Sequence, residues 1–291
     1  TIVNSITVSD IFRFVIAFGA NDLGTVLRDP MLIRWSDQED FQNWTPAAVN
    51  QAGSLRLSSG SEIVASIQAR QEILVCTDTA LYSMQYLGAP EVWSAQILGD
   101  NISIASQNSM VYAGAVAYWM GRDKFYMYDG TVRPLPCNVR KYVFTDINTT
   151  QYDQVCTGTN EGYHEVWWFY CSAGSTVVDR YVIYNYLDNV WYYGNMARTA
   201  WLDSSLRGEP IAATYSNNLV NHEVGNDDNE TAVPTAIHAF ATTSEFDLDD
   251  GDKFMFINRM LPDVTFEGSS ATSPAAVMTL LPMQNSGSGY N

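Results

Sequence analysis

Basic residues are scarce in this chain. Its 291 residues include 15 lysines and arginines against 32 aspartates and glutamates, so the formal net charge is −17. Tight binding to nucleic acid normally uses a basic patch that displaces counterions from phosphates, and the sequence shows none. The sequence therefore argues against adhesive DNA binding.

The acidity is uneven, because 13 acidic and 3 basic residues lie between Asp203 and Glu267. An acidic surface that faces DNA would repel it, which suits a wall that DNA slides past. The alternative is that the negative charge only keeps the protein soluble.

Long apolar runs are also missing. No stretch approaches the roughly 18 uninterrupted apolar residues of a membrane span, so we predict none. The first residues, Thr1–Ser5, lack the basic and then apolar form of a secretory signal. Because the chain starts without methionine and its end, Ser286–Asn291, resembles a linker, we expect both ends to be cut from a longer protein.

Cysteines are few and have no metal-binding spacing. The four residues, Cys76, Cys137, Cys156 and Cys171, form no C-x-x-C pair. A hairpin turning near residues 160–162 would place Cys156 opposite a residue near 166 to 168 and not opposite Cys171. We therefore predict free thiols, which favour assembly in the cytoplasm.

Motifs for catalysis or metal binding are incomplete. His222-Glu223 is half of an H-E-x-x-H motif, but Asn226 occupies the position of the second ligand, which favours a loop histidine. Asp247–Asp252 has the carboxylates and glycine of a calcium loop without EF-hand spacing, so a solvated turn is favoured over a bound ion. No nucleophile elbow, Walker loop or dinucleotide fingerprint occurs. We predict no catalytic residue, no cofactor site and no metal site, and we do not expect an enzyme.

The chain does contain a repeated, aromatic β pattern. Hydrophobic residues make up 46% and aromatic residues 13% of the sequence, a composition that suits pleated, half-buried strands. Two short strands joined by a polar turn recur, often followed by a tryptophan, at Met31–Trp35 to Trp44, Ile73–Tyr82 to Trp93, Tyr118–Gly130, and Glu165–Tyr170 to Trp191. The spacing is close to that of propeller blades, with one longer unit. We predict an all-β fold, a β-propeller with blade-like antiparallel sheets.

The pattern divides the chain at a polar break. Residues 1–225 are predicted to form the propeller blades, and 226–291 an acidic loop and strands that close the propeller or open a second β module. The strands predicted in this second part are Ile237–Ala241, Phe254–Ile257 and Val264–Phe266.

Within the blades, residues 165–171 are apolar on both faces and should lie between two neighbouring sheets. The tryptophans at 44, 93 and 191 are predicted to be equivalent anchors between blades.

Several longer motifs support a family resemblance. They are Leu32–Glu39, Ala52–Ile63, Tyr118–Tyr126, Leu135–Cys137, Asp179–Tyr186 and His222–Gly225. With these motifs the chain resembles, from about Asp10 to Phe266, the tail-nozzle or packaged-DNA stabilisation proteins of short-tailed bacteriophages.

The resemblance implies a structural protein of the virion tail, assembled in the host cytoplasm. In that family a homo-oligomeric ring of six copies lies below the portal and the head-to-tail adaptor, retains the packaged genome and conducts it during ejection. The implied partners are the adaptor, tail fibre or spike proteins, and double-stranded DNA in transit. The family implies no catalytic residues.

Two other classes fit a propeller. A tail adhesin would bind host-surface carbohydrate through exposed tryptophan and tyrosine side chains. A propeller-based hydrolase would need a cluster of carboxylates at the central channel.

Overall fold

The chain is an all-β protein with 40% strand and 6% helix, as the sequence predicts. The computed structural model describes residues 2–204, 206–228, 230, 233, 235–237, 239–243, 246, 253–267, 269 and 272–285. The chain divides into two units, Thr1–Thr235 and Ala236–Asn291. None of the described helices has the length and apolar character that a membrane crossing needs.

The first unit contains five consecutive antiparallel sheets in which chain neighbours are also hydrogen-bonded neighbours. Sheet 1 consists of β1 (Ser5–Ser9), β2 (Phe14–Phe18), β3 (Leu32–Trp35) and β4 (Gly53–Arg56). Sheet 2 consists of β5 (Ile63–Gln68), β6 (Ile73–Thr77), β7 (Ala80–Gly88) and β8 (Val92–Asp100). Sheet 3 consists of β9 (Met110–Ala113), β10 (Val116–Met120), β11 (Phe125–Tyr128) and β12 (Val132–Pro134).

Sheet 4 consists of β13 (Cys156–Asn160), β14 (Glu165–Tyr170), β15 (Arg180–Asn185) and β16 (Val190–Asn195). Sheet 5 has three strands, β17 (Ala200–Leu202), β18 (Ile211–Ala213) and β19 (Leu219–Asn221). Each predicted copy of the sequence repeat falls within one of these sheets.

The connection between sheets 3 and 4 explains the longer unit of the repeat. It contains helix α1 (Arg140–Asp146) and a 3₁₀ segment (Thr149–Gln154). Asn148 caps the 3₁₀ segment, because its side chain accepts a hydrogen bond of 3.1 Å from the backbone N–H of Thr150.

The hydrophobic cores lie between successive sheets. Sheets 1 and 2 share a cluster that includes Phe14 and Trp93, and sheets 2 and 3 share one around Trp119. Trp168 belongs to the cluster between sheets 3 and 4, and Trp167 to the cluster between sheets 4 and 5. Alternate residues of β14 therefore point into two cores, and the prediction that this strand is covered on both faces is confirmed.

Two of the three predicted tryptophan anchors occupy equivalent places. Trp93 lies opposite Tyr86 in sheet 2, and Trp191 lies opposite Tyr184 in sheet 4, with ring centroids 5.4 and 4.8 Å apart. The prediction for Trp44 is wrong. This residue lies in the long loop between β3 and β4, where its indole N–H donates to the carbonyl of Phe41 at 2.7 Å.

The first strands of the five sheets lie side by side in chain order, as β1, β5, β9, β13 and β17. They run in the same direction, since Asn4 Nδ2 donates to the carbonyl of Ile63 at 3.1 Å and Thr7 Oγ1 lies 3.4 Å from Ser66 Oγ. Sheets 4 and 5 follow the same rule, because Cys156 Sγ donates to the carbonyl of Arg198 at 3.9 Å and, three residues further along both segments, Trp201 Nε1 donates to the carbonyl of Thr159 at 2.7 Å. Asn108 and Cys156 form a parallel bridge between sheets 3 and 4. All five sheets therefore share one orientation.

Because of this shared orientation, the turns fall into two groups at opposite ends of the strands. We call the group of turns at the C-terminal ends of the first strands the upper rim. The group at the opposite ends of the strands is the lower rim. The upper rim comprises residues 10–13, 36–52, 69–72, 89–91, 114–115, 129–131, 161–164, 186–189, 203–204 and 206–210. The lower rim comprises residues 19–31, 57–62, 78–79, 101–109, 121–124, 135–155, 171–179, 196–199 and 214–218.

The end of the chain contains little regular structure among its described residues. A two-stranded sheet pairs β20 (Asp227–Asp228) with β21 (Thr235–Ala236). The strand predictions for 254–257, 264–266 and the described part of 237–241 are wrong, because these residues lie outside every strand. Phe254 and Phe256 are each 90% exposed. An apolar alternating sequence can pair as a strand only where a partner strand accepts its hydrogen bonds.

Whether residues 226–291 close the stack of sheets or open a second β module stays a prediction.

Candidate functional site

Charge is distributed unequally between the two rims. The upper-rim turns contain 11 acidic residues, namely Asp10, Asp37, Glu39, Asp40, Glu72, Glu91, Asp129, Glu161, Asp188, Asp203 and Glu209. Their 3 basic residues are Arg13, Arg70 and Arg207. The lower-rim turns contain 8 acidic residues, namely Asp22, Asp29, Glu62, Asp78, Asp123, Asp146, Asp153 and Asp179. Their 6 basic residues are Arg28, Arg122, Lys124, Arg140, Lys141 and Arg198.

The first strands of the five sheets lie between these two groups of charges. The five first strands carry no charged side chain. The first unit therefore has one strongly negative end and one end of nearly balanced charge.

An acidic cluster lies at the upper rim. It consists of Glu161 and Asp203 from the rim turns, Glu165 at the start of β14, and Glu223 just after β19. Asp203 Oδ2 accepts a 2.8 Å hydrogen bond from the backbone N–H of Glu161, and Glu223 Oε1 accepts one of 3.2 Å from Asn160. Burial, followed by the charge of Glu223, raises the pKa of Glu165. Like charges thus crowd together where sheet 4 meets sheet 5.

On the lower rim the fold assembles a basic patch from two distant segments, Arg122 and Lys124 before β11, and Arg140 and Lys141 on α1. Arg140 donates to the carbonyl of Asp123 at 2.7 Å, and its guanidinium lies 3.4 Å from the Asp123 carboxylate. Lys124 Nζ lies 3.6 Å from the same carboxylate. Two of the four cations, Lys124 and Arg140, therefore share one acidic neighbour.

Sequence reasoning missed the basic patch, because neither half contains a run of basic residues that would stand out in an acidic chain. The two halves meet only because α1 folds against the β10–β11 turn. Tyr152, on the 3₁₀ segment that follows α1, also contacts this turn by donating to the carbonyl of Arg122 at 2.7 Å.

Aromatic side chains lie next to the basic patch. The rings of Tyr142 and Tyr193 are 4.3 Å apart, and both side chains are partly exposed. A shallow depression of about 490 Å³ is lined by Lys141, Tyr142, Thr145 and Asp146.

A second depression of about 320 Å³ opens on the upper rim between sheets 2 and 3. Its lining includes Tyr112, Tyr128, Asp129, Arg70 and Glu72. Burial, followed by the charge of Glu72, raises the pKa of Tyr128 to about 12, so its phenol stays protonated at neutral pH. Two phenol rings beside carboxylates and a guanidinium can contact a ligand rich in hydroxyl groups.

His222 follows the last strand of sheet 5 and is half-buried. Arg198 Nε donates to His222 Nε2 at 3.0 Å, and the imidazole lies 4.4 Å from the Trp201 ring. Burial, followed by the charge of Arg198, lowers the pKa of His222 to about 4. Arg198 also pairs with Glu230 at 3.1 Å. The histidine is therefore a neutral acceptor for a buried guanidinium.

The structure bears differently on the other residues that the sequence singled out. Within the described ranges, no three His, Cys, Asp or Glu side chains are grouped so that they could hold a metal ion. The loop Asp247–Asp252 lies outside the described residues.

All four cysteines are free, as predicted. Cys156 lies opposite Phe169, close to the predicted register, and burial raises the pKa of Cys156 to about 11.

No protein-family model matches the chain, and the curated proteins contain no match to it.

Proposed function

We propose that this chain is a structural subunit of the tail nozzle of a short-tailed bacteriophage. Six copies form a ring below the portal and adaptor, retain the packaged DNA and conduct it during ejection. The observation that carries the proposal is the strongly acidic upper rim on a stack of tightly packed sheets, together with the motif resemblance.

We further infer that the five sheets are blades of a β-propeller. Their first strands are parallel neighbours in chain order, as the inner strands of propeller blades would be. Exposed apolar side chains lie on the outward faces of sheets 1 and 5, with Val8 at 53% and Leu219 at 73%. Exposed apolar sheet faces at both ends of the stack favour further packing partners on each side.

The charge of the upper rim explains how such a ring would conduct DNA. Duplex DNA carries about one negative charge per 1.7 Å of its axis, so an acidic surface repels it at close range. In the proposed ring the upper-rim turns of sheets 1 and 2 face the DNA, where Asp10 and Glu91 are exposed. Aromatic cores packed between successive sheets keep the wall rigid. A wall with these properties neither binds the genome nor yields to it.

Assembly with the portal and its adaptor tests the proposal. The purified chain should add to portal–adaptor complexes as a ring of six copies, visible by electron microscopy, without added DNA. A chain that never joins these complexes, or joins them only when DNA is present, would contradict a nozzle subunit whose assembly uses protein surfaces.

A carbohydrate-binding tail adhesin is the second candidate, and the upper-rim depression between sheets 2 and 3 favours it. Tyr112 and Tyr128 supply aromatic faces, and Glu72 and Asp129 supply hydrogen-bond acceptors for sugar hydroxyls. A glycan array decides between the two candidates. Binding that is lost in Tyr112→Ala would support the adhesin, and an array without signal would leave only the nozzle.

A further inference from the structure

We infer that the basic patch on the lower rim of one copy docks on the acidic cluster of a second copy. This inference deepens the proposed function and rests on it, because a ring of identical subunits needs a contact between two different faces of the chain.

The basic patch has charge available for a partner. Asp123 is the one carboxylate that pairs with Lys124 and Arg140, and no ion pair of Arg122 or Lys141 occurs among the described residues. Both Arg122 and Lys141 are exposed. Exposed pairs such as those of Asp123 are weak and can be exchanged for new partners.

The carboxylates of the acidic cluster lack cationic partners among the described residues. Within the part of the chain that the structure describes, no lysine or arginine forms an ion pair with Glu161, Glu165, Asp203 or Glu223. Glu161 and Glu223 are exposed. A cation placed against these carboxylates would reduce the repulsion between them.

The positions of the two surfaces prevent them from meeting within one copy. The basic patch lies on the lower rim and the acidic cluster on the upper rim, with the strands of sheets 3 to 5 between them. A contact between them must join unlike faces of two molecules. Such a heterologous contact generates a closed ring when its rotation closes.

A second copy fits the basic patch better than DNA does. Four cations on a chain of net charge −17 could neutralise only about four phosphates, while the rest of the molecule would repel the duplex. The partly exposed rings of Tyr142 and Tyr193 beside the patch are typical of protein interfaces, where tyrosine is enriched.

Charge reversal and its compensation test the inference on the full chain. Arg122→Glu with Lys141→Glu should weaken self-association roughly tenfold, and Glu161→Lys with Glu223→Lys should do the same. The chain with all four changes should recover most of the lost association, since the complementarity is restored with opposite signs. Arg70→Glu is the matched control, because it reverses an exposed upper-rim cation and should not weaken association. Sedimentation velocity measures each variant.

A zero-length carbodiimide cross-link on the unmodified chain provides a readout that does not depend on variants. In a mixture of isotopically light and heavy copies, Lys141 or Lys124 should join Glu161 or Glu223 of the other isotope. Links found only within one copy would overturn the inference, and so would a chain that stays monomeric at every concentration.

The outcomes also separate this inference from the proposed function. Unchanged association of the patch variant, in a chain that still joins the portal–adaptor complex, would refute the docking surface and leave the nozzle intact. If Arg122→Glu with Lys141→Glu instead abolished duplex binding and left association unchanged, the patch would be a DNA contact and the inference would be wrong.

Discussion

Single aromatic residues hold neighbouring sheets together in this protein. Trp93 is only 4% exposed and lies within 5.8 Å, between ring centroids, of Phe12, Phe14 and Tyr86. The backbone of Trp93 is therefore part of sheet 2, while its side chain packs in the core that sheet 2 shares with sheet 1. Trp44 has the same chemistry but sits in a loop, so the two residues separate the effect of position from that of residue type.

We expect Trp93→Ala to lower the free energy of unfolding by about 3 to 5 kcal/mol, because it empties a packed site between two sheets. The matched change Trp44→Ala should cost less than about 1 kcal/mol, since a loop side chain leaves no cavity in the core. Urea unfolding followed by circular dichroism measures both. Equal costs for the two variants would contradict the assigned roles.

His222 makes stability depend on pH. Its pKa is about 4 in the folded chain against an ordinary value of 6.5, so between these values the unfolded chain binds more protons than the folded one. Stability should therefore fall as the pH is lowered from 6.5 towards 4, and the contribution should be complete above 6.5.

Comparison with His222→Gln isolates this effect from the titration of carboxylates. The amide oxygen of glutamine can still accept the hydrogen bond from Arg198 but does not titrate in this range. The difference in unfolding free energy between the two chains should change across the window from pH 6.5 to 4. A constant difference would mean that His222 is not held neutral.

At the scale of elements, glycines set how closely strands and sheets approach. A Cβ added to Gly158 in β13 would come within 2.3 Å of the Trp201 ring, which stacks 5.2 Å from Trp167. The absence of a side chain at this position therefore allows sheet 5 to pack against sheet 4.

We expect Gly158→Ala to destabilise the first unit by about 1 to 3 kcal/mol, because Trp201 must move out of its place. Gly174→Ala is the control, since no atom lies within 4 Å of its added Cβ. Thermal unfolding should show a lowered midpoint for the first variant only. A lowered midpoint for both would point to a backbone effect and not to the contact with Trp201.

The sequence predicts elements well where local pattern and packing agree. The apolar residues of 165–171 alternate between two faces that are both apolar, and the strand is indeed covered on both. Trp44 and Trp93 are separated by about one period of the repeat, which predicts equivalent places. The loop between β3 and β4 is much longer than a hairpin turn, and the period of the repeat does not show this. The segments near Phe254 and Phe266 have strand-like patterns without a described partner strand, which a local pattern cannot show.

At the scale of the whole molecule, the rims depend on topology that no local pattern contains. Arg140 reaches Asp123 only when α1 folds back, and Glu161 meets Asp203 only when sheets 4 and 5 pack. The composition predicts that the chain is acidic. The concentration of acidic residues at one end of the first unit follows from the shared orientation of its sheets.

We expect the isolated chain to bind no duplex DNA measurably at physiological salt, because its net charge of −17 opposes phosphate on approach. In particles, Asp10→Lys with Glu91→Lys should slow genome release through new contacts with the phosphates. Asp100→Lys, an exposed acidic residue at the lower end of β8, is the control and should leave release unchanged. Single-particle ejection assays measure the rates. Tight, steeply salt-dependent DNA binding by the unmodified chain would contradict an acidic wall.

The position of the chain in the intact particle tests the central claim most directly. Cryo-electron microscopy of the virion, with symmetry imposed only after classification, should place six copies of the five-sheet unit on the tail axis, below the portal and adaptor, around the DNA path. Copies found on peripheral fibres or spikes, away from that axis, would contradict the account.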